Sequence, residues 1–337
     1  MSQTVRWGVL GTGNIARQFA SGLGNCRRGK TIATGSRTQA AADAFARAYG
    51  FERAYGSYEQ VLSDQEVDAV YVSLPNSMHH EWTIRALRAG KHVLCEKPFA
   101  VNAAQSQEMF DVARKEGRVV VEAFMYRAHP LTAEVIRSVR EGAIGEVKLI
   151  RTSFCYCTSR RKGNIRFDAE LAGGGLMDVG CYCIGFSRLF GGGDPVEIRA
   201  AGHLLNGVDE VAAATLVYPN GVIATMSCGM TVHANNTAYL CGSEGYIEIP
   251  VPWKPPREQA EFTITRSTPP RMDSAASKAG AAPSRETRLV DAGMDLYGLE
   301  ADAFAGAVRD GAEPFVTEDE TLGNMRVLDK MRSQLRE

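Results

Sequence analysis

The stretch "VRWGVLGTGNIA", residues 5–16, decides the expected fold of this chain. Its apolar run ends in Gly11 and Gly13, and Ala16 completes a G-x-G-x-x-A spacing at the start of a helix-like segment. In such a loop the first glycine permits a tight turn, the second lets the backbone approach a pyrophosphate, and the helix N-terminus faces the anion. The stretch therefore predicts a dinucleotide-binding loop in which Gly11, Gly13, Asn14 and Ile15 contact the cofactor.

Short apolar runs alternate with helical patterns throughout residues 1–123. The segments "TIATGS", "VDAVYVSL", "KHVLCE" and "RVVVEA" are typical of strands, and a segment with helical periodicity separates each strand from the next. This alternation is the signature of parallel βαβ units. An α/β fold follows, and we predict an N-terminal Rossmann domain, built on a doubly wound parallel sheet, over residues 1–123.

The pattern changes after residue 123. One helix leads to a long strand, "EVKLIRTSFCY", and "VDEVAAATLVYPNGVIATMSCGM" is typical of two strands joined at a Pro-Asn-Gly turn. We therefore predict a C-terminal α+β domain with a mainly antiparallel sheet over residues 124–337. Residues 252–286 are rich in Pro, Ala and Ser, and we expect an exposed, mobile excursion there apart from the short strand "FTIT".

The composition excludes several classes of function. The 337 residues carry 38 basic and 39 acidic side chains without a like-charge block, so we expect no binding to nucleic acid or to a membrane. The chain has no apolar run of membrane-spanning length and no signal-peptide pattern, which predicts a soluble cytoplasmic protein. The six histidines are scattered and the eight cysteines lack C-x-x-C spacing, so no metal site is predicted.

The residues after the second strand bear on the choice of cofactor. An NAD-selective fold usually ends this strand with Asp or Glu, which accepts hydrogen bonds from the ribose 2′-hydroxyl. Here Ser36, Arg37 and Thr38 occupy those positions. Arg37 could pair with a 2′-phosphate through charge-assisted hydrogen bonds worth roughly 1.5–3 kcal/mol. We therefore expect NADP(H) as the preferred cofactor and NAD(H) as a second one; the alternative is a solvated Arg37 and equal binding of both.

A second group of residues lies at the end of the third strand. Leu74, Pro75, Asn76 and His79 belong to the segment "LPNSMHHEW". Ligands of doubly wound sheets bind outside the carboxyl ends of the strands. We therefore expect these four residues to contact the cofactor.

Three motifs give the chain a family resemblance, namely "LPNSMHHEW", "CEKPFA" and "GGGLMDVGCYC". Together with the glycine loop they resemble the glucose-fructose oxidoreductase, inositol dehydrogenase and rhizopine-catabolism (Gfo/Idh/MocA) family of NAD(P)-dependent oxidoreductases. The resemblance implies a second domain with a large open sheet, often used for dimerisation, and a substrate pocket between this sheet and the nicotinamide. Many members have histidine where this chain has Tyr182, so it looks more like the glucose-fructose oxidoreductase, dihydrodiol dehydrogenase and xylose dehydrogenase branch.

The resemblance also implies roles for individual residues. Lys97 would point into the pocket, and Glu96 would position its turn or touch the nicotinamide ribose. Asp178 and Tyr182 would face the pocket from the second domain, and because four positions are about one helical turn they would share a face. Arg127 is expected to bind substrate or to lie at the domain junction.

Tyr182 is the predicted proton acceptor. Hydride can leave a carbinol carbon only if the hydroxyl proton is taken as well. A phenol can take it if the ammonium of Lys97 lowers the tyrosine pKa from about 10 towards neutrality, while burial lowers the pKa of Lys97 itself. We assign Lys97 as the electrostatic partner and Asp178 as a hydrogen-bond acceptor for a substrate hydroxyl. Two alternatives stay open: Lys97 carries the proton, or Tyr182 is only a core aromatic.

These residues predict an NADP-preferring oxidoreductase acting on a hydroxyl carbon of a cyclic polyol or sugar, in particular C1 of an aldopyranose such as xylose or glucose. The resemblance also implies a homodimer or homotetramer formed through the C-terminal sheet. One alternative is a trans-1,2-dihydrodiol dehydrogenase, whose pocket would be more aromatic. Two others are a dinucleotide-binding regulator without turnover and a glycosidase that uses its dinucleotide transiently.

Overall fold

The computed structural model describes residues 4–159, 161–266 and 283–336, and within these ranges the chain forms two β-sheets. The strands of the first sheet are β1 (Val5–Leu10), β2 (Gly29–Gly35), β3 (Arg53–Tyr55), β4 (Ala69–Val72), β5 (His92–Glu96) and β6 (Val120–Ala123). They are parallel and lie in the order β3-β2-β1-β4-β5-β6. The predicted doubly wound Rossmann sheet is therefore confirmed, and the short β3 is a strand that the sequence pattern did not indicate.

Helices connect these strands. They are α1 (Asn14–Leu23), α2 (Gln39–Tyr49), α3 (Tyr58–Ser63), α4 (Asn76–Arg88) and α5 (Ala103–Glu116). Because β1 pairs with β2 on one side and with β4 on the other, the strand order reverses at β1. The loops that leave β1 and β4 therefore meet at one edge of the sheet, where ligands of this fold bind.

The second sheet has eight strands in the described part of the chain. They are β7 (Val147–Cys155), β8 (Glu197–Leu205), β9 (Val208–Val217), β10 (Ile223–Gly229), β11 (Ala238–Gly242), β12 (Gly245–Ile249), β13 (Ala260–Arg266) and β14 (Ser284–Val290). Their order is β14-β13-β12-β11-β7-β10-β9-β8. The β7–β10 pair is parallel and the other pairs are antiparallel, which confirms the predicted mainly antiparallel sheet.

Among the described residues after the first sheet, four α-helices form, α6 (Pro130–Arg140), α7 (Cys181–Gly191), α8 (Leu296–Asp310) and α9 (Glu318–Gln334). A turn of π-helix at Leu176–Gly180 leads directly into α7. The last two helices return to the first domain: the Phe304 ring of α8 lies 5.1 Å from that of Trp7 in β1. The boundary at residue 123 thus stays a prediction. No helix in the described ranges combines the length and the apolar character needed to cross a membrane.

Pro252, Trp253 and Pro255, at the start of the predicted exposed excursion over residues 252–286, are buried, whereas Lys254 and residues 256–259 are exposed. Trp253 is only 3% exposed, and its indole N–H donates a hydrogen bond to the backbone oxygen of Ser153 at 2.8 Å. The prediction of an exposed segment was wrong here because composition does not reveal that an aromatic cluster receives Trp253. Residues 267–282 of the predicted excursion lie outside the described residues.

Candidate active site

A cavity of about 520 Å³ lies where the carboxyl edge of the first sheet faces the second domain. Ten of the residues predicted to bind cofactor or substrate line it, namely Gly13, Asn14, Ile15, Leu74, Asn76, His79, Glu96, Lys97, Asp178 and Tyr182. The other six lie outside its lining, namely Gly11, Ser36, Arg37, Thr38, Pro75 and Arg127. Residues predicted from separate motifs therefore meet in one space between the two domains.

The glycine loop leaves room for a ligand at the N-terminus of α1. Gly11 has a φ of 102°, and a Cβ there would lie 3.1 Å from the backbone oxygen of Ser73. A Cβ at Gly13 would meet no described atom within 4 Å, and no side chain caps the helix that follows. No side chain of the described ranges accepts a hydrogen bond from the first backbone N–H groups of α1, and the space at Gly13 beside them is open. This arrangement fits the pyrophosphate of a dinucleotide.

The end of β2 presents one arginine to the surroundings. The hydroxyl of Ser36 lies 3.3 Å from that of Thr12, and the hydroxyl of Thr38 caps α2 by accepting the backbone N–H of Ala41 at 3.4 Å. Arg37 is exposed, and it forms no ion pair within the described ranges. Of the three predicted residues, Arg37 therefore has the side chain available for an external anion.

The predicted residues after β4 differ in what they do. Leu74 lines the cavity, whereas Pro75 occupies the N-cap position of α4 without a capping hydrogen bond from its side chain. Asn76 also lines it and donates a hydrogen bond to the backbone oxygen of Ala172 at 2.9 Å, which links the two domains. Both ring nitrogens of the buried His79 lie 2.9 Å from backbone oxygens, those of Pro98 and Leu74. His79 thus ties two cavity loops together through its polar atoms.

Lys97 projects from the turn after β5, where the Lys97–Pro98 peptide bond is cis. Its ammonium donates to the backbone oxygen of Asp178 at 2.7 Å. Burial lowers the pKa of Lys97, but neighbouring negative charges, with Asp178 first and Glu96 among them, raise it above its usual value overall. The expected lowering of this pKa was wrong because the sequence did not reveal how close these carboxylates lie.

Glu96 is buried beside Lys97. Its carboxylate accepts the hydroxyl of Tyr71 and the backbone N–H of Lys97, the latter at 3.2 Å. Burial raises the pKa of this carboxyl, although Lys97 opposes the shift. The contacts agree with the expected positioning of the Lys97 turn.

Asp178 gathers three partners. Its Oδ2 accepts the hydroxyl of Tyr156 at 2.6 Å and the Nε–H of Arg166 at 2.9 Å, while Lys97 Nζ lies 3.5 Å from Oδ1. Burial alone would raise the pKa of Asp178, but Lys97, Arg166 and the Tyr156 hydroxyl together hold it below its usual value. An ionised carboxylate therefore faces the cavity, with Oδ1 less engaged than Oδ2.

Tyr182 is a buried member of an aromatic cluster that also lines the cavity. It is 4% exposed, and its hydroxyl donates towards the sulfur of Met125 at 3.4 Å. Lys97 Nζ lies 5.1 Å from the centroid of the ring, over its face rather than beside its hydroxyl. Burial raises the pKa of Tyr182 well above 10. The expected shift towards neutrality was therefore wrong for this arrangement, since burial dominates and the ammonium does not contact the oxygen.

Arg127 lies at the domain junction. Its guanidinium forms an ion pair with Glu320 of α9 at 2.8 Å, and both side chains are largely buried. Of the two roles considered for Arg127, this contact favours the junction over substrate binding.

The sequence analysis assigned no site role to several cavity residues. Arg166 and Lys254 were not singled out, and Phe154 and Tyr156 were considered only as aromatic residues compatible with a dihydrodiol pocket. In the structure Tyr156 and Arg166 hold Asp178, and Phe154 and Lys254 contribute to the lining. Phe154 lies on β7 and Tyr156 is the first residue after its end, two positions further along the chain, so continued strand alternation could have indicated that they share a face. Nothing in the sequence distinguishes Arg166 from the other arginines.

Comparison with known families identifies this arrangement. The model of an oxidoreductase family with an NAD-binding Rossmann fold matches residues 5–124, and that of the GFO/IDH/MocA C-terminal domain matches residues 132–248. The chain belongs to the GFO/IDH/MocA oxidoreductase family. The resemblance drawn from the three motifs is confirmed.

Named members of the GFO/IDH/MocA family are similar to the chain along most of its length. D-xylose 1-dehydrogenase (NADP+) 2 of Haloferax volcanii is 34% identical over 96% of this chain and 95% of its own. Trans-1,2-dihydrobenzene-1,2-diol dehydrogenase of Mus musculus is 34% identical over 74% of this chain and 76% of its own. A 3-ketoreductase of Actinomadura kijaniata, solved with NADP and TDP-benzene, superposes with a TM-score of 0.87 at 32% identity, covering 99% of this chain and 98% of its own.

Family membership and cavity geometry together define the class of reaction. The chain is an oxidoreductase of the GFO/IDH/MocA family that uses a nicotinamide cofactor and acts on CH–OH groups. The predicted enzyme class is confirmed, and the alternative of a regulator without turnover is set aside.

Proposed function

We propose that this protein is an NADP-preferring oxidoreductase that transfers hydride between the nicotinamide and a hydroxyl carbon of a sugar or cyclic polyol, in particular C1 of an aldopyranose. The observation that carries the proposal is the convergence of Lys97, Asp178 and Tyr182 in one cavity with the glycine loop. The similarity to a D-xylose dehydrogenase supports the choice of an aldose.

The protein's own residues would handle the proton while the cofactor supplies or accepts the hydride. The pKa of Lys97 is raised overall by nearby carboxylates although burial opposes this, and burial raises the pKa of Tyr182. Both groups therefore hold their protons at neutral pH, which suits donation of a proton to a carbonyl oxygen. In the direction of alcohol oxidation, the group that donates this proton, Tyr182 or Lys97, instead takes the proton of the substrate hydroxyl. Asp178 would accept a hydrogen bond from a second hydroxyl through Oδ1.

The preference for NADP(H) is assigned to Arg37. The side chain is exposed, follows the end of β2 and has no carboxylate at positions 36–38 beside it. It can thus pair with a 2′-phosphate, and NAD(H) would bind without that contact.

A trans-dihydrodiol is the second candidate substrate. Phe154, Tyr156 and Tyr182 give the cavity an aromatic wall, which suits an unsaturated ring, and a dihydrodiol dehydrogenase is among the similar proteins. Assembly into a homodimer or homotetramer through the second sheet also stays a prediction, which sedimentation of the purified protein would test.

Absorbance at the reduced-nicotinamide band tests the function. The wild type is assayed with NADP+ and NAD+ against aldoses, inositols and trans-dihydrodiols. We expect aldose-dependent NADPH formation, and we expect kcat/KM for NADP+ to exceed kcat/KM for NAD+ by about 10- to 100-fold. Arg37→Ala should lower kcat/KM for NADP+ alone, whereas Arg47→Ala, which removes an exposed arginine of α2, should not.

Three outcomes of this assay would change the proposal. Equal use of both nucleotides by the wild type would contradict the cofactor preference. Turnover with dihydrodiols alone would replace the aldose by the second candidate. Absence of reduced nucleotide with every substrate would contradict the dehydrogenase function.

A further inference from the structure

The segment "PWKPP", residues 252–256, is held firmly against the second domain. Pro252, Trp253 and Pro255 are buried, and the backbone oxygen of Pro256 lies 3.2 Å from Nε2 of His129. Proline fixes its own φ and restricts the residue before it. The backbone around Lys254 is therefore constrained on both sides.

Trp253 anchors this segment. Its ring stacks on that of Phe154 with centroids 5.8 Å apart, and it also packs against Tyr126, Tyr182 and Phe186. With the indole N–H bonded to a backbone oxygen, both the apolar and the polar part of Trp253 have partners. A rigid aromatic anchor thus directly precedes Lys254.

Lys254 reaches from this anchor into the cavity. Its ammonium lies 3.5 Å from Oε1 of Gln18 on α1, which also accepts the hydroxyl of Tyr297 at 3.1 Å. Gln18 lies four positions, about one helical turn, beyond Asn14 of the glycine loop. The lysine therefore spans the gap between the second domain and the N-terminal turns of α1.

The positive charge of Lys254 lacks a counter-charge. Within the described ranges it forms no ion pair, and its polar contact is the neutral amide of Gln18. The carboxylate of Asp178 is already shared by Lys97 and Arg166. Glu96 is buried and accepts the hydroxyl of Tyr71. The Lys254 side chain is exposed at the cavity, and an ammonium in such a place can form a charge-assisted hydrogen bond with an anion that enters from solution.

We propose that Lys254 is an anion-binding residue of this cavity that takes a carboxylate or a phosphate. Two sources supply this chemistry: an acidic substituent on the sugar substrate, and the phosphates of the cofactor. The substrate source rests on the proposed function, whereas the cofactor source does not require turnover. In either case the ligand forms a charge-assisted hydrogen bond with the lysine.

The test compares wild type, Lys254→Met and Lys254→Arg in two measurements. The first is kcat/KM for D-glucuronate and D-glucose at saturating NADP+, since these sugars share the reacting C1 and differ in a carboxylate at C6. The second is the affinity for NADPH without sugar, followed by nucleotide fluorescence. Lys254→Met should lower either kcat/KM for glucuronate or NADPH affinity by about 10- to 100-fold. Lys254→Arg should keep most of the wild-type kcat/KM for glucuronate and most of the wild-type affinity for NADPH.

The pattern of losses identifies the anion. A loss for glucuronate but not for glucose supports the substrate source, and a loss of NADPH affinity supports the cofactor source. No change in either measurement, or an equal loss for both sugars with unchanged NADPH affinity, would overturn the proposal. Lys148→Met, which removes an exposed lysine of β7 paired with Glu146, is the control and should match the wild type.

A failure of the proposed function can be recognised separately. If the wild type oxidises neither of these two sugars nor any other substrate of the panel, that function is contradicted. Calorimetric binding of glucuronate and glucose to the NADPH-loaded wild type and Lys254→Met then decides the substrate source. Equal binding of glucuronate to both proteins, with unchanged NADPH affinity, would overturn the proposal in that case as well.

Discussion

Tyr182 is at once a packed core residue and part of the cavity wall. Its ring packs edge-on against Phe124 and Phe154, with centroids 5.2 Å away in both cases. The sequence analysis treated packing and catalysis as alternatives, because helical periodicity does not tell on which side a cavity lies. Since the phenol is buried and Lys97 lies over the ring face, the free cavity favours the neutral phenol.

Tyr182→Phe removes the proposed proton-transfer group without changing the packed ring. We expect kcat for the sugar substrate to fall by about 10²- to 10⁴-fold with little change in KM, the range typical of general acid–base groups. Initial rates at varied substrate concentration measure both constants. A loss of kcat below threefold would indicate that Lys97 carries the proton, the alternative that the sequence analysis left open.

Tyr126→Phe provides a matched control for this variant. Tyr126 belongs to the same aromatic cluster, with its ring centroid 5.9 Å from that of Tyr182, but it does not line the cavity. Its kcat should equal that of the wild type. Equal losses in both variants would show that packing, and not proton transfer, explains the effect.

The turn between β5 and α5 is held in place by hydrogen bonding to a neighbouring strand. Glu122, at the end of β6, is 1% exposed; it accepts the backbone N–H of Phe99 at 3.0 Å and the hydroxyl of Thr321 at 2.9 Å. Through these bonds it joins the segment that follows Lys97 to α9. Burial raises the pKa of Glu122 to about 8, although Thr321, Phe99 and Lys97 oppose the shift.

Glu122→Gln should reveal a pH-dependent contribution to stability. Because the pKa in the folded state is about 8 against 4.5 ordinarily, the folded protein holds a proton that the unfolded chain releases between these values. The free energy of unfolding of the wild type therefore falls as the pH rises through this window, and the variant lacks this slope. From pH 6 to 8 we expect the wild type to lose roughly 2–3 kcal/mol relative to the variant.

Urea unfolding at pH 6, 7 and 8 measures this difference. Glu313→Gln, a substitution of an exposed glutamate, is the control and should run parallel to the wild type. If Glu122→Gln also ran parallel to the wild type, Glu122 would be ionised throughout this range and the assigned pKa shift would be wrong.

At the scale of the whole molecule, the two halves of the chain are joined where α1 meets α8. A Cβ at Gly22 would lie 2.6 Å from Cβ of Tyr297 and 2.7 Å from the backbone nitrogen of Gly298. Nearby, the carboxylate of Asp302 accepts the backbone N–H groups of Arg27 and Arg28. A helix that follows the second sheet in sequence therefore packs directly on the first domain.

Gly22→Ala should destabilise the protein because backbone atoms of α8 cannot make room for a methyl group. We expect the free energy of unfolding to fall by about 1–3 kcal/mol, as for other overpacked sites. Gly306→Ala in α8 is the matched control, because a Cβ there would meet its nearest atom at 3.7 Å. Since alanine has a better helix propensity than glycine, this variant should gain up to about 1 kcal/mol in free energy of unfolding. Urea unfolding of both variants measures the difference, and a stabilised Gly22→Ala would contradict this close packing.

The sequence alone determined the order and type of the main elements and the motifs that meet at the cavity. The glycine loop and the alternation of strands and helices could be predicted because turn chemistry and periodicity are properties of neighbouring residues, whereas Lys97, Asp178 and Tyr182 were implied by the family resemblance of their motifs. Only the tertiary structure decided the charges within the cavity. Tyr156 and Arg166 at Asp178, the raised pKa of Tyr182 and the position of Lys254 depend on contacts between residues far apart in the chain. Burial and electrostatic interaction arise from such contacts, and no local pattern records them.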